Sequence, residues 1–597
     1  MKQTAILSKN ITAIKAGSEV EIPNDLCRLF EETPDIPSDN VRKVSKEEAA
    51  RWAGQFSEPV IDRTFFIIGF SNGEYLRALL SVTNQTNMIY VFEPELTHLM
   101  YVLNYYDVSD VLESTRLFLC VRGINESDMN EYISGEVTYI NYKLIMSGVL
   151  PGYEMYVKEY NEMQEMLKYS AELTDFEKVT EIFLAECSRK NLYLNLYDVL
   201  GQYSLNQLLK CAGEWDFSGI PAIIVSAGPS LDKNITELKK AEGKAFIIVV
   251  DTALKAVLRA GIKPDLTVCI DPRKETVFFA HDEIKNIPAV FGMDITADVI
   301  KKHCGKRFYI GSGKLDIANA FSRKFKNEDY EILNSGGSVA NVAFSLAVKM
   351  GFKTIILIGQ DLAFTDGKGH TKDAYDDDEK NSSDAANCPG ICEVEDIYGN
   401  PVKTEVRMRS YIEWFENAIR YYKDVKVIDA TEGGAKIHGT SIMKLNQAIE
   451  EECLGDVKGF TEKMHSLPAW FNGTEQQEFL KYMKEIPYNL DVLSQKIRYG
   501  TECYEELKRA VAFNQGNRIA GIMEQLKSVN ALEDEEPLMS LVVKYCVEDK
   551  FDIQDNLHQS NADDINAVID NAVILLKSYL KGIARMKNEI TELAPAN

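Results

Sequence analysis

The sequence predicts an α/β protein: a central Rossmann-like, mostly parallel sheet domain, a smaller N-terminal α/β domain and a helical C-terminal domain. Three observations predict it. From Pro221 onward, short apolar runs alternate with amphipathic helices. One strand, turn, helix, strand unit stands at 64–93. Beyond about residue 450, Gly and Pro thin out, and Leu, Ile, Val and Met recur at helical period.

The elements follow in order. Ser45-Lys-Glu-Glu48 reads as a capping box before Ala49, Ala50 and Trp52. Thr64–Ile68 is a strand, Gly69-Phe-Ser-Asn-Gly73 a turn, Glu74–Val82 a helix and Met88–Phe92 a second strand. Glu93 stands where a ribose-binding acid would, but the turn lacks the third glycine of a dinucleotide fingerprint. A retired scaffold is the expectation there. Residues 155–210 read as helical. Strands are predicted at Ala222–Ser226, Ala245–Val250, Asp265–Ile270, Ala289–Phe291, Arg307–Ile310 and Thr354–Ile358, with helices at Thr252–Ala260 and Ser338–Met350. Residues 362–404 read as one long polar loop, followed by a helix (Val406–Tyr422) and a strand (Val425–Ile428). The implied domains are 1–150, a connector at 151–215, a catalytic domain at 216–455 and a helical domain at 456–597.

Composition narrows the function. A chain of 597 residues exceeds a single core. Its 66 Lys plus Arg against 91 Asp plus Glu leave a net charge of −25, which argues against nucleic acid and anionic lipid as partners. No run approaches the roughly 18 apolar residues of a membrane span. The first residues show no secretory pattern, and the 11 Cys have no framework spacing, so a cytoplasmic protein with reduced thiols is expected.

In an open α/β sheet, ligands bind beyond the carboxyl ends of the strands. The residues there are Gly228, Pro229, Ser230 and Leu231; Asp251 and Thr252; Asp271 and Pro272; Met293 and Asp294; Gly359, Gln360 and Asp361. Ser335, Gly336, Gly337 and Ser338 precede the helix at 338. Gly228–Ser230 and Ser335–Ser338 have the chemistry of anion cradles, in which free N–H groups at a helix start face a phosphate. Lys255, Arg273 and Lys274 could supply nearby positive charge. No P-loop pattern occurs. A Mg²⁺ bridging Asp carboxylates and phosphate is compatible with the sequence but not required by it. Asp376–Glu379 reads as a solvated run, and Cys388 and Cys392 as incidental thiols.

Five segments taken together resemble a known family: Ile224-Val-Ser-Ala-Gly-Pro-Ser-Leu231; Lys263-Pro-Asp-Leu266 with Asp271-Pro272; Ser335-Gly-Gly-Ser-Val-Ala-Asn341; Ile358-Gly-Gln-Asp-Leu-Ala-Phe364 with Gly369-His370; and Asp429-Ala-Thr-Glu-Gly-Gly-Ala435. They look like the motility-associated factor (Maf) flagellin glycosyltransferases, over about residues 60–450. The central domain of that family is similar to an archaeal pterin pyrophosphokinase group and distantly to bacterial sialyltransferases. The resemblance implies an inverting glycosyltransferase that moves a nonulosonic acid of pseudaminic or legionaminic type from a CMP-sugar donor to Ser or Thr of flagellin. It implies that Gly228, Pro229, Ser230 and Leu231 hold the nucleotide phosphate. It places Ser335, Gly336, Gly337 and Ser338 near phosphate and sugar, and Asp361 near the ribose.

A base is also needed for the acceptor hydroxyl. Sialyltransferases place a His well beyond the Gly-x-Asp strand, yet no His lies between His370 and His438. His370 is favoured, with Asp271, Asp294 and Asp361 as alternatives. Other readings are a pterin pyrophosphokinase-like enzyme and a non-catalytic flagellin-binding protein.

Overall fold

A computed structural model describes residues 5–17, 42–58, 60, 62–125, 128–137, 142–198, 202–274, 286–311, 317–374, 390–532, 537–547, 549, 551 and 565–593. The chain divides into two compact units. One comprises Met1–Thr180, Thr501–Ile522 and Glu548–Lys577; the other comprises Glu181–Gly500, Met523–Val547 and Ser578–Asn597. The C-terminal helices are thus shared between the units. No helix among the described residues is long and apolar enough to cross a membrane.

The first unit holds a four-stranded parallel sheet of β1 (Thr64–Ile68), β2 (Met88–Glu93), β3 (Leu117–Val121) and β4 (Met146–Val149), in the order β3-β2-β1-β4. β1 reads Thr-Phe-Phe-Ile-Ile and is buried throughout, as a strand covered on both faces must be. The helix Glu74–Val82 follows where expected. Ser45 caps the helix Lys46–Ala53 by accepting the Glu48 N–H at 3.2 Å. The Glu48 carboxylate turns instead to Arg42 and the Tyr75 hydroxyl, so only half of the expected capping box forms.

The turn after β1 is filled from within the chain. Gly69 has φ +104°, and a Cβ there would lie 2.6 Å from the Tyr153 ring. The N–H groups a phosphate would use are taken: Gly69 donates to the Phe92 carbonyl, Phe70 to Glu93 and Ser71 to the Tyr153 hydroxyl. Glu93 is buried and also accepts from Tyr153 Oη at 2.6 Å and from the Glu95 N–H at 2.8 Å. The acid in the ribose position is a structural hub.

The second unit is built on nine strands, all paired in parallel. They are β5 (Tyr203–Ser204), β6 (Ala222–Val225), β7 (Phe246–Val250), β8 (Leu266–Cys269), β9 (Ala289–Gly292), β10 (Arg307–Ile310), β11 (Thr354–Ile358), β14 (Lys426–Asp429) and β15 (Ser441–Ile442). Their order is β15-β14-β11-β6-β7-β8-β9-β10-β5. The two edge strands were not expected, because two residues carry no periodicity. The chain steps outward from β6 to β10, then returns to add β11 and β14 on the other side. The order therefore reverses between β6 and β11, where such sheets open a ligand crevice.

The expected loop at 362–404 is not one loop. It contains an antiparallel hairpin of β12 (Ile391–Glu395) and β13 (Pro401–Glu405), turned through Gly399. Charged residues stand at four of its ten strand positions and almost no position is buried, so no apolar alternation marks a strand. Asp376–Glu379, Asn381–Asp384 and Cys388 lie outside the described residues.

Burial pushes Glu93 up from 4.5 to about 7, against the opposing effect of its hydrogen-bond donors. The folded unit therefore holds a proton that the unfolded chain releases at lower pH. This contribution favours folding below about pH 4.5 and is lost as pH rises through 7. Unfolding measured from pH 5 to 8 should show a loss of up to about 3 kcal/mol from this group. Glu93→Gln should flatten that slope, and an unchanged slope in the variant would show that another group carries it.

Candidate functional site

Three of the five motif segments are knotted around one carboxylate. Asp361, two residues past Gly359 at the end of β11, is 2 % exposed. It accepts from Ser230 Oγ at 2.5 Å, from Thr365 Oγ1 at 2.5 Å and from the Ser230 N–H at 3.2 Å. The Gly228 N–H donates to the Gly359 carbonyl at 2.8 Å, and the Ala435 N–H to the Asp361 carbonyl at 2.7 Å. Lys233 and Asn234 bond the carbonyls of Glu432 and Ala430. Burial raises the Asp361 pKa, and the Ser230 and Thr365 donors oppose that.

This changes the expected roles. Ser230 does not cap the helix that follows, since its hydroxyl serves Asp361. That helix, Leu231–Asn234, is a single turn. Pro229, Ser230 and Leu231 are buried, and the Gly228 and Ser230 N–H groups are satisfied inside the chain. The expected phosphate cradle at Gly228 is a packed joint between β6 and β11. Asp361, the expected ribose contact, is its anchor.

Beside this joint, Asp251 follows β7 and pairs with Lys274, with Nζ 2.9 Å from Oδ1; both side chains are buried. Lys274 Nζ also donates to Thr252 Oγ1 at 2.7 Å, and Asp251 Oδ1 accepts the Thr252 N–H at 2.6 Å. His370 lies half-buried near Lys274 and the Ala227 backbone. The Thr371 N–H fixes its segment by donating to the Ala227 carbonyl at 2.8 Å. Burial first, and the Lys274 charge second, lower the His370 pKa. The imidazole is therefore neutral at physiological pH and able to accept a proton.

The second Gly/Ser turn is different. Ser338 caps the twelve-residue helix Val339–Met350, its Oγ accepting the Asn341 N–H at 3.1 Å. Ser335 and Gly337 are exposed. Gly336 has φ +50°, and a Cβ there would come within 2.4 Å of the Trp414 ring, so only glycine fits. This helix start keeps the character of an anion site that the Gly228 loop loses. Ser335 also lines a cavity of about 300 Å³ at the carboxyl ends of β8, β9 and β10. Asp294 stands in its wall, half-buried, with Oδ2 accepting from Ser188 Oγ at 2.5 Å.

Other expected residues have structural or separate positions. Asp271 is exposed, and its Oδ1 closes a turn by accepting the Arg273 N–H at 2.8 Å. Arg273 stacks on Phe183, 4.4 Å from the ring centroid. Lys255 is buried, and Cys392 is half-buried in β12. Among the described residues, no three His, Cys, Asp or Glu side chains converge to hold a metal. The Asp251–Lys274 pair, Thr365 and Ser188 had no local signal, because each partner comes from a distant segment.

Comparison with known proteins bears on the central segment. Residues 190–367 match the family model for 6-hydroxymethylpterin diphosphokinase MptE-like proteins. The match covers less than a third of the chain. It contains four of the five motif blocks, and Gly369-His370 and the Asp429–Ala435 block lie beyond it. No curated protein matches the sequence. The chain is similar to the structure of the MAf glycosyltransferase from Magnetospirillum magneticum AMB-1, with a TM-score of 0.49 and 14% identity, covering 100% of this chain and 98% of that one.

The joint at Gly228 gives a direct test. A Cβ on Gly228 would lie 2.0 Å from Asp361 Oδ1 and 2.5 Å from the Gly359 carbonyl oxygen. Gly228→Ala should destabilise this unit by about 3 kcal/mol, read by denaturant unfolding. Wild-type stability in that variant would contradict the packing described.

Proposed function

We propose that the protein is an inverting O-glycosyltransferase that moves a nonulosonic acid, of pseudaminic or legionaminic type, from a CMP donor to Ser or Thr of flagellin. The observation that carries this reading is the gathering of the motif segments, Lys263–Leu266 at the start of β8 excepted, at the carboxyl ends of one parallel sheet. There a neutral imidazole, a helix N-terminus and a cavity lie along the same edge.

Each part has a chemical task. The start of Val339–Met350, with Ser335, Gly336 and Gly337, receives the donor phosphate and the charge that grows on it as CMP leaves. Uncharged N–H groups suit this task in a chain of net charge −25. His370 takes the proton of the acceptor hydroxyl as the new C–O bond forms. Asp251 and Thr252 hold Lys274 beside it. Asp361 positions the loops and touches no substrate. A Mg²⁺ would have to be held largely by the substrate phosphate, and no step is assigned to it.

A second reading is a diphosphokinase acting on a pterin, which the family match over 190–367 favours. It predicts AMP formation from ATP and 6-hydroxymethylpterin. CMP-nonulosonate without flagellin modification, together with pterin-dependent AMP release, would select it.

For the first reading, flagellin incubated with enzyme and CMP-nonulosonate should gain whole sugar masses in intact-protein mass spectrometry. No gain with a donor shown to bind would refute transfer. His370→Gln should slow transfer by about 10²-fold or more. With the His370 pKa below 6.5, wild-type rate should rise with pH on the acid side and level off before neutrality. Survival of that acid limb in the variant would remove His370 as the base.

A further inference from the structure

The cavity beside the Ser335 turn has a composition that selects a ligand. Leu184, Leu192, Met293, Ile310, Leu333 and Val342 make most of its wall apolar. Its charged groups are Asp294, Glu181 and Lys544. Two carboxylates against one ammonium disfavour a phosphate or a sugar carboxylate inside. The wall suits a neutral ligand part that combines an apolar group with an N–H or O–H donor. The volume of about 300 Å³ admits a monosaccharide side arm with its substituents. Ser188 donates to Asp294 Oδ2, which fixes that carboxylate within the cavity wall.

We propose that this cavity is a subsite for an acylamido substituent of the transferred sugar, with the acyl methyl among Leu184, Leu192 and Val342 and the amide N–H donating to Asp294. The assignment rests on the donor reading above. It makes Asp294 a specificity-determining residue and leaves the proton transfer to His370. A plain hydroxyl sugar would leave the apolar wall in contact with water or empty, which weakens its binding. The phosphate at the helix start and the acylamido group in the cavity would then hold the sugar at two points. Ser335 belongs to both places, since it opens the Gly/Ser turn and lines the cavity.

The test uses the full-length protein and three probes in titration calorimetry: CMP, a nonulosonic acid with a 5-acetamido group, and its deaminated analogue with a 5-hydroxyl. The acetamido acid should bind about tenfold or more tightly than the hydroxyl analogue. Saturation-transfer NMR should place the strongest contact on its acetyl methyl. Ala185→Phe, which fills the cavity from its lining helix, should bring the ratio near one. Equal affinity of the two acids for the wild type would overturn the proposal without any variant. CMP binding with no acetamido preference sinks the subsite alone. An acetamido preference without CMP binding sinks the CMP donor and leaves the subsite standing.

Discussion

A single buried carboxylate decides how the central sheet can be used. Asp361 sits where the strand order reverses, the place such a sheet offers to a ligand. An unpaired charge at 2 % exposure would be costly, so its oxygens gather Ser230 and Thr365. Those bonds draw the loop after β6 onto the loop after β11. Gly228 and Gly359 have no room for a side chain because the two backbones touch there. The Asp429–Ala435 segment is drawn in as well, through the Ala435 N–H and the close approach of Gly434 to Asp361. The crevice is closed at its base, and the groups still available to a ligand lie along the neighbouring edge.

The same constraint explains how a strongly acidic chain could take an anion. Lys274, a buried cation of this edge, is neutralised by Asp251 and held by Thr252. Its charge adds to burial in disfavouring the protonation of His370. In the proposed reading, attraction for a phosphate comes from oriented backbone dipoles, which need no net charge and bring no counter-charge. The helix Val339–Met350 is long enough to supply them, and the single turn after Ser230 is not.

The two units treat the same supersecondary idea in opposite ways. In the first, Tyr153 occupies the turn after β1, and buried Glu93 and Tyr153 form a polar cluster with half-buried His98 where a nucleotide would sit. In the second, a cavity remains at the ends of β8 to β10. A βαβ unit is therefore no evidence of a site until the occupant of its turn is known.

The sequence by itself determined the fold class and the strand core. Apolar runs such as Phe246–Val250 and Thr354–Ile358 are buried on both faces, and that demand is written in consecutive residues. It also determined helix ends with local chemistry, such as Ser338 before Val339. It marked Gly228, Asp361 and Ser335 as special without distinguishing their roles. Only the tertiary structure decided that Ser230 serves Asp361, 131 residues away, rather than a helix start, and that Asp294 meets Ser188 across 106 residues. The physical reason is that a carboxylate or an N–H group has fixed capacity, and which distant partner fills it is set by packing, which leaves no period in the chain.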